Sequence, residues 1–415
     1  MARGKRIAVA ALCGVLALLL LYAGGMAILF VSLRDTGLPR LSIETSGKQP
    51  IQSKTEYLPC SAALTGAGEH DLSPLPAEVR GRGNDTWNYY PKKPYRLRFF
   101  EDTSLFGAPA ARNWVLLAMY NDTTLAKDRL AFALSNSCGS GYVPTAHYVD
   151  LYVNGSYCGV YLLTEQVDET EGRLGIEAEI SKNDVEIPFF VELDARAPEE
   201  GEEGVDWFEV SGKYYAVKYP DDKERKNDSQ FAYIRHYITT VDRLCRTKDV
   251  SLAALAEWID VESFLDYYIV EELMGQPEIN WKSVYMSRTA DGKLRMGPVW
   301  DFDWAAMGPA FGKQRNQWKD ATSGFRSVDH WFALLYENSP EFREALRVRW
   351  NEKKDALRAA IDLVGGEKDA LSRAATRNHI RWYAWSPLPF FPKEHDALIA
   401  WCHGRWQWMD RELNR

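Results

Sequence analysis

Two carboxylates in the sequence Trp300-Asp-Phe-Asp-Trp are well placed for chemistry. Asp301 and Asp303 are two positions apart, so on an extended chain their side chains point to the same side. Such a pair of oxygen ligands suits a hard cation such as Mg²⁺. The flanking aromatic residues would exclude water, and buried carboxylates are unfavourable unless they have partners. The pattern favours a metal-binding or catalytic role for Asp301 and Asp303 over a structural one.

A glycine-rich turn beside a basic strand has residue types that could hold phosphate groups. Its two glycines would let the backbone approach a ligand closely, and its free N–H groups could bind phosphate oxygens together with Arg82, Lys92 and Lys93. The sequence lacks the Gly-Lys-Ser/Thr ending of a Walker motif. Taken alone, such a turn is also typical of a purely structural connection. The segments concerned are Arg80-Gly-Arg-Gly-Asn-Asp-Thr-Trp and Pro91-Lys-Lys-Pro-Tyr-Arg.

A third polar group, Glu278-Ile-Asn-Trp-Lys, precedes the Asp301 segment by one predicted hairpin. Because a hairpin brings its two ends together, we expect Glu278 and Asn280 to lie near Asp301. Without the other two groups, these residues would be interpreted equally well as turn residues after a helix. Glu165 is a lone acid that closes an apolar strand, and Asn121 and Asp122 are good N-cap residues for the helix that follows them.

The elements that would position these residues can be predicted from residue patterns. Residues 94–100 alternate as a strand, and Asn154-Gly155 predicts a tight hairpin over 148–163. Asp260 and Gly275 are expected to begin and end a helix, and 283–300 reads as a second hairpin. From residue 328 onward the pattern is mainly helical. Strands in the first half and helices in the second predict an α+β fold rather than regular βαβ winding.

Composition excludes several classes of protein. The 415-residue chain is 46% hydrophobic and 26% charged, which is ordinary for a globular protein and rules out whole-chain disorder. Its formal net charge of −8 argues against nucleic-acid binding, which needs clustered cations. Only 7 His and 6 Cys argue against a zinc enzyme.

The N-terminal segment predicts a membrane anchor. Arg3, Lys5 and Arg6 precede an apolar run over 7–33, which is long enough to span a bilayer as a helix. Because the cations would stay in the cytoplasm, we expect a single-pass cell-membrane protein with its domain outside the cytoplasm. The expected organisation is an anchor (1–33), a linker (34–40), one large domain (41–345) and a helical C-terminal extension (346–415).

Several motifs in a fixed order resemble the CotH kinase family, which takes its name from spore-coat protein H. Each motif alone is weak, but together they run from about residue 41 to 345. They are Leu75-Pro-Ala-Glu-Val-Arg-Gly-Arg-Gly-Asn-Asp-Thr-Trp, Tyr90-Pro-Lys-Lys-Pro-Tyr-Arg-Leu-Arg, Asn113-Trp-Val-Leu-Leu-Ala, Tyr142-Val-Pro through Gly159-Val-Tyr-Leu-Leu-Thr-Glu-Gln, Glu278-Ile-Asn-Trp-Lys-Ser-Val-Tyr-Met and Gly297-Pro-Val-Trp-Asp-Phe-Asp-Trp.

The resemblance implies an atypical protein-kinase-like fold that binds ATP with Mg²⁺, or with Mn²⁺, and transfers the γ-phosphoryl group to Ser or Thr of bacterial envelope or coat proteins. Asp301 would bind the metal with support from Asp303, and Glu278 or Asn280 would occupy the catalytic loop, where an Asp is expected. The residues implied in cofactor binding are Arg82, Gly83, Lys92, Lys93 (preferred to Lys92 because it shares the strand face of Tyr95) and Glu165.

Two other functions fit the same residues. One is a catalytically silent surface or envelope binding protein that keeps the family's fold. The other is a carbohydrate-active enzyme that uses Asp301 or Asp303, with Trp side chains stacked on sugars.

Overall fold

The computed structural model describes residues 2–139, 141–199, 206–221, 223–310, 320–322, 331–386 and 389–415. Its strands and helices confirm the predicted mixed α+β architecture. The strands are β1 (Arg40–Thr45), β2 (Leu58–Thr65), β3 (Leu72–Gly81), β4 (Tyr95–Thr103), β5 (Ala111–Leu117), β6 (His147–Val153), β7 (Ser156–Glu165), β8 (Phe189–Leu193), β9 (Trp207–Val210), β10 (Lys213–Tyr219), β11 (Val284–Arg288) and β12 (Arg295–Met296). The helices are α1 (Ala2–Ser32), α2 (Asp85–Tyr89), α3 (Lys127–Cys138), α4 (Asp228–Arg246), α5 (Leu252–Ala256), α6 (Val261–Met274), α7 (Trp331–Asn338), α8 (Pro340–Gly366), α9 (Lys368–Trp382) and α10 (Lys393–Leu413).

The first seven strands form one closed sheet in the order β1-β2-β3-β4-β5-β7-β6. Neighbours are antiparallel except β1 and β6, whose parallel pairing closes the sheet. Alternate residues point inward, as the two-residue period of a strand requires; Leu41 and Ile43 of β1 and Leu97 and Phe99 of β4 are fully or almost fully buried there. Each such side chain stabilises the fold by about 1.5–3 kcal/mol.

The predicted hairpin over 148–163 is confirmed as β6 and β7. Its turn residues Asn154 and Gly155 have φ values of 51° and 78°, the left-handed conformation that a tight two-residue turn demands. The predicted strand over 94–100 is confirmed as β4.

A second sheet, ordered β12-β11-β8-β10-β9, shares one large apolar core with most of the helices. Helix α6 is buried over most of its length and lies between this sheet and the C-terminal helices. Asp260 caps α6 by accepting a hydrogen bond from the Ser263 N–H at 3.1 Å, and Gly275 ends it at φ 56°. The boundaries predicted for this helix are therefore confirmed. The expected end of the main domain, residue 345, falls inside α8.

The prediction of a membrane anchor is wrong. A helix that crosses a bilayer needs about 20 consecutive, mostly apolar residues. Among the described residues, no helix combines enough length with enough apolar character to cross a membrane. This finding overturns the single-pass anchor over 7–33 and the cell-membrane location with an outward-facing domain.

Candidate active site

Glu278 lies in the turn after α6, where it is almost fully buried. Its Oε1 atom is 2.7 Å from the Nζ atom of Lys282, one helical turn further on. Burial, followed by the nearby charge of Asp301, raises the pKa of Glu278 to about 7 against the opposing effect of Lys282. Glu278 is therefore a carboxyl group that can gain or lose a proton near neutral pH.

Asp301 and Asp303 follow β12 and complete the group of acids around Glu278. Asp301 has a φ of 67°, a left-handed conformation that is costly for a residue with a Cβ atom and is concentrated at functional sites. Its Oδ2 atom accepts a hydrogen bond from Ser283 Oγ at 3.0 Å. Burial, followed by the charges of Asp301 and Glu278, raises the pKa of Asp303 well above its usual range. The hairpin between 283 and 300 thus brings Glu278 close to Asp301, as predicted.

Lys282 is the cation that faces these three acids. Burial opposes its charge, but Asp301, Glu278 and Asp303 outweigh burial and raise its pKa. Its Nζ atom is also 5.3 Å from the centre of the Trp281 ring and 5.6 Å from that of Trp304. An ammonium group over aromatic faces and beside carboxylates is held firmly in its charged form.

Sequence reasoning missed the contribution of α3 to this region. The Oδ1 atom of Asp128 accepts a hydrogen bond from the Phe302 N–H at 2.9 Å, and burial raises the pKa of Asp128 to about 7. The Nζ atom of the buried Lys127 donates to the carbonyl oxygens of Asp303 at 3.0 Å and Gly308 at 2.8 Å. These bonds hold the segment that contains Asp301 and Asp303 against the start of α3. Three adjacent charged residues, Lys127, Asp128 and Arg129, ahead of the apolar stretch of α3 were the available signal.

The prediction of Asn121 and Asp122 as N-cap residues is wrong, because α3 begins at Lys127 with Ala126 as its N-cap residue. Asp122 nevertheless binds the start of this helix. Its carboxylate accepts hydrogen bonds from the Thr124 N–H and from the N–H of Lys127, the first residue of α3, each at 3.0 Å. Asn121 is almost fully buried beside it, and its main-chain carbonyl oxygen accepts a hydrogen bond from the Ala310 N–H at 2.8 Å. The two residues therefore tie the start of α3 to the segment that follows Asp303.

The glycine-rich turn begins where β3 ends. A Cβ atom on Gly81 would lie 2.3 Å from the Trp87 ring, and Gly83 has a φ of 76°. These glycines are required by close packing and by backbone conformation, respectively. The guanidinium carbon of Arg82 lies 5.8 Å from the centre of the Trp300 ring. Trp300 directly precedes Asp301 in the chain. The turn therefore brings one cation to the edge of the acid group.

The chain after this turn also approaches the acids. Asp85 of α2 forms a two-point ion pair with Arg196, at 2.9 and 3.0 Å. Burial, followed by the charges of Asp303 and Asp85, raises the pKa of Tyr90 to about 12. Residues 82–90 therefore lie against the segment that carries Asp303.

The other residues predicted for cofactor binding lie in different surroundings. Lys92 is completely buried, and its Nζ atom donates to the Val160 carbonyl and, at 2.9 Å, to Asn378 Oδ1 of α9. The Nζ atom of Lys93 donates to the Trp87 carbonyl. Glu165 accepts two hydrogen bonds of 2.7 Å from the N–H and hydroxyl of Thr145. Their roles towards ATP stay predictions.

Asn280 lies between Glu278 and Lys282, and its carbonyl oxygen accepts a hydrogen bond of 2.8 Å from Lys213 Nζ. This contact ties the turn to β10. The place of Asn280 in a catalytic loop stays a prediction.

The predicted Mg²⁺ would require several oxygen donors that face one point near Asp301. Within the described ranges, no group of three or more His, Cys, Asp or Glu side chains is arranged to hold a metal ion. One oxygen of Asp301 is bonded to Ser283, and Glu278 is paired with Lys282. The side chains near Asp301 therefore do not fit a resident divalent cation, and we assign it no step.

Comparison with curated proteins gives no match. The model of the family described as CotH kinase protein matches residues 79–409, which include the glycine-rich turn, Glu278, Asp301 and Asp303. Since this match covers most of the chain, the protein belongs to the CotH kinase family.

Proposed function

We propose that this protein binds ATP and transfers its γ-phosphoryl group to a Ser or Thr hydroxyl of a protein acceptor. Family membership supports the use of ATP. The observation that carries the proposal is the meeting of Glu278, Asp301 and Lys282 beside a glycine-rich turn that carries Arg82. Phosphoryl transfer requires mainly positioning and neutralisation of charge, and these residue types provide both.

Glu278 is our candidate for the general base. In the proposed step the acceptor oxygen forms a bond to the γ-phosphorus while the bond from that phosphorus to the bridging oxygen of ADP breaks. The hydroxyl proton passes to the Glu278 carboxylate, and ADP leaves. Because burial raises the pKa of Glu278 to about 7, the carboxyl group is matched to proton transfer near neutral pH.

The phosphate groups would be bound at the turn. Arg82 provides five N–H donors in a planar group suited to phosphate oxygens, and Gly83 keeps the backbone free of a side chain that would block a ligand. Lys282 contributes a second positive charge close to Glu278. The sequence-based assignments of Lys92, Lys93 and Glu165 to cofactor binding remain part of the proposal and need a test of their own.

The decisive experiment uses radiolabelled ATP, the full chain and a Ser-rich protein acceptor. We expect label on the acceptor, and Glu278→Gln should lower the rate by about 10²–10⁴-fold while ATP binding, followed by calorimetry, is kept. Exposed Glu179 provides the matched control Glu179→Gln, which should transfer label at the wild-type rate. Absence of ATP binding to the wild-type chain would reject the proposal.

One observation favours a second candidate, a catalytically silent binding protein. Lys282 is ion-paired with Glu278, and a carboxylate held by a cation is a weaker base. In that case the chain would bind ATP without transferring label, and Glu278→Gln would leave both measurements unchanged. The same experiment therefore separates the two candidates.

A further inference from the structure

Lys282 occupies a central position among the acids. Its side chain is 14% exposed, and its Nζ atom lies 2.7 Å from Glu278 Oε1. The hydroxyl of Ser283, the next residue, donates to Asp301 Oδ2 at 3.0 Å, and the ring of Trp304, the neighbour of Asp303, lies 5.6 Å from Lys282 Nζ. The three carboxylates therefore converge on an ammonium group that the chain itself provides.

Glu278 supplies a second, independent observation. Its side chain is 2% exposed, and neither of its carboxylate oxygens has a hydrogen-bond donor of good geometry among the described residues. A buried carboxylate oxygen without a donor is costly, and a nearby cation reduces that cost. Lys282 is the cation in direct contact with this carboxylate.

A divalent cation shared by Glu278, Asp301 and Asp303 would have to lie between their oxygens, where it would meet the Lys282 ammonium. Two cations that close repel each other strongly in a site of low polarity. We propose that Lys282 is the resident counter-cation of Glu278, Asp301 and Asp303, and that it keeps divalent cations out of this group, so that a nucleotide binds here without a metal. The statement about the nucleotide rests on the proposed function, whereas the statement about metal exclusion does not.

The metal statement is tested with MnCl₂ alone, by calorimetry on the full chain without nucleotide. The wild-type chain should show no saturable Mn²⁺ binding that depends on Asp301. Lys282→Gln removes the charge but keeps an amide that can donate to Glu278, and it should tighten Mn²⁺ binding at least about tenfold, since removing one adjacent positive charge is worth more than 1.4 kcal/mol. Adding Asp301→Asn to that variant should abolish the gain.

Lys293, exposed in the turn between β11 and β12, provides the matched control. Lys293→Gln makes the same chemical change and should leave Mn²⁺ binding as in the wild type. If Lys282→Gln does not fold, Lys282→Met combined with Glu278→Gln removes both charges of the pair and serves in its place. Should neither fold, the wild type decides alone: saturable Mn²⁺ binding that Asp301→Asn abolishes overturns the proposal, and its absence supports it.

The nucleotide statement is tested by titrating ATP into the wild-type chain in excess EDTA and in excess Mg²⁺. Equal affinity in the two conditions is expected, and at least about tenfold weaker binding in EDTA would overturn this statement. No ATP binding in either condition would reject the proposed function and leave the Mn²⁺ result standing. The two failures are therefore distinguishable.

Discussion

Lys92 and Lys282 are both largely buried lysines near the glycine-rich turn, but their partners differ in charge. Lys92 lies between the closed sheet and α9, where a carbonyl and an amide oxygen accept its hydrogen bonds. Burial lowers its pKa to about 7, because the opposing effects of Cys158 and Asp150 compensate only in part. Lys282 faces three carboxylates, which raise its pKa in spite of burial.

The difference shows that burial alone does not determine what a lysine does. A lysine held by neutral acceptors loses its proton easily and serves mainly to join two parts of the fold. A lysine held by carboxylates stays charged and can act on an anionic ligand. The sequence favoured Lys92 and Lys93 because they are basic and adjacent to the turn, whereas the arrangement of acids singles out Lys282.

The largest expected effect concerns the docking of α9 on β7, which encloses Lys92. A Cβ atom on Gly159 would lie 2.5 Å from Asn378 Oδ1 and 2.7 Å from Trp382 Nε1, at a φ of 110°. Gly159→Ala should lower the free energy of unfolding by more than about 3 kcal/mol, as overpacking and backbone strain combine. Urea unfolding measures the loss.

Gly155 in the adjacent hairpin turn is the matched control, since its φ is 78° and nothing lies within 4 Å of an added Cβ atom. Gly155→Ala carries the backbone strain alone and should cost about 1–2 kcal/mol. Equal losses in the two variants would show that α9 does not press on Gly159.

Replacement of Lys92 itself should have the next largest effect. Lys92→Met removes the hydrogen bonds to Val160 and Asn378 and should lower the free energy of unfolding by about 2 kcal/mol. If Lys92 only joins the sheet to α9, the affinity for ATP should not change. Urea unfolding and calorimetry measure the two quantities on the same sample.

Lys93→Met is the control, because the Nζ atom of the partly buried Lys93 donates a hydrogen bond within the turn, to the Trp87 carbonyl. It should cost less than about 1 kcal/mol. The interpretation of Lys92 would fail if Lys92→Met weakened ATP binding while the free energy of unfolding stayed constant. That outcome would establish the phosphate-binding role that the sequence predicts.

The contributions of Lys92 and Glu278 to stability should change with pH in opposite directions. Lys92 has a pKa of about 7 in the folded chain against an ordinary value of 10.5. Between these values the unfolded chain binds more protons, so the stability contributed by Lys92 rises with pH and is lost as pH falls towards 7. Unfolding in urea at pH 7.5 and 8.5 should show a contribution of up to about 1.4 kcal/mol per pH unit, which Lys92→Met removes.

Glu278 should act in the opposite direction. Its pKa is raised from 4.5 to about 7 in the folded chain, so between these values the folded chain binds more protons. Its contribution is fully present below pH 4.5 and is lost as pH rises through 7. Glu278→Gln should flatten this part of the curve, whereas Glu179→Gln should not. An unchanged slope would show that Glu278 is ionised throughout.

Local patterns predicted much of the fold. The Asn154-Gly155 turn and the helix between Asp260 and Gly275 are specified by residues that contact one another within a few positions. The membrane anchor was the wrong prediction, since no helix among the described residues is long and apolar enough to cross a bilayer. The closed sheet could not be predicted, since the parallel pairing of β1 with β6 joins segments far apart in the chain.

The candidate site likewise has some contacts that local patterns predict and others that they do not. The approach of Glu278 to Asp301 followed from the hairpin that joins them. The hydrogen bond from the Phe302 N–H to Asp128 spans 174 positions, and no local pattern indicates it. The sequence places Lys282 close to Glu278 but does not predict a role for it, because its pairing with carboxylates depends on how the turn after α6 folds.

The smallest effect on stability is expected at the ion pair between Asp85 and Arg196, which joins the glycine-rich turn to the segment after β8. Both side chains are about 30% exposed (29% for Arg196, 32% for Asp85), so Arg196→Ala should cost less than about 1 kcal/mol. Helix α2 has only five residues and cannot be stable by itself. Its position must therefore depend on contacts such as this pair and the packing of Trp87 on Gly81.

Loss of the pair should loosen the turn even though global stability hardly changes. Hydrogen exchange of the amides in 82–94 should become faster in Arg196→Ala, while exchange in the β6–β7 hairpin around Lys92 should stay the same, because local opening is independent of global unfolding. Arg347→Ala removes an exposed ion pair with Glu344 on α8 and should alter neither region. Faster exchange in both regions would mean that the surroundings of Lys92 and Lys282 open together. The difference between these two lysines would then not extend to local opening.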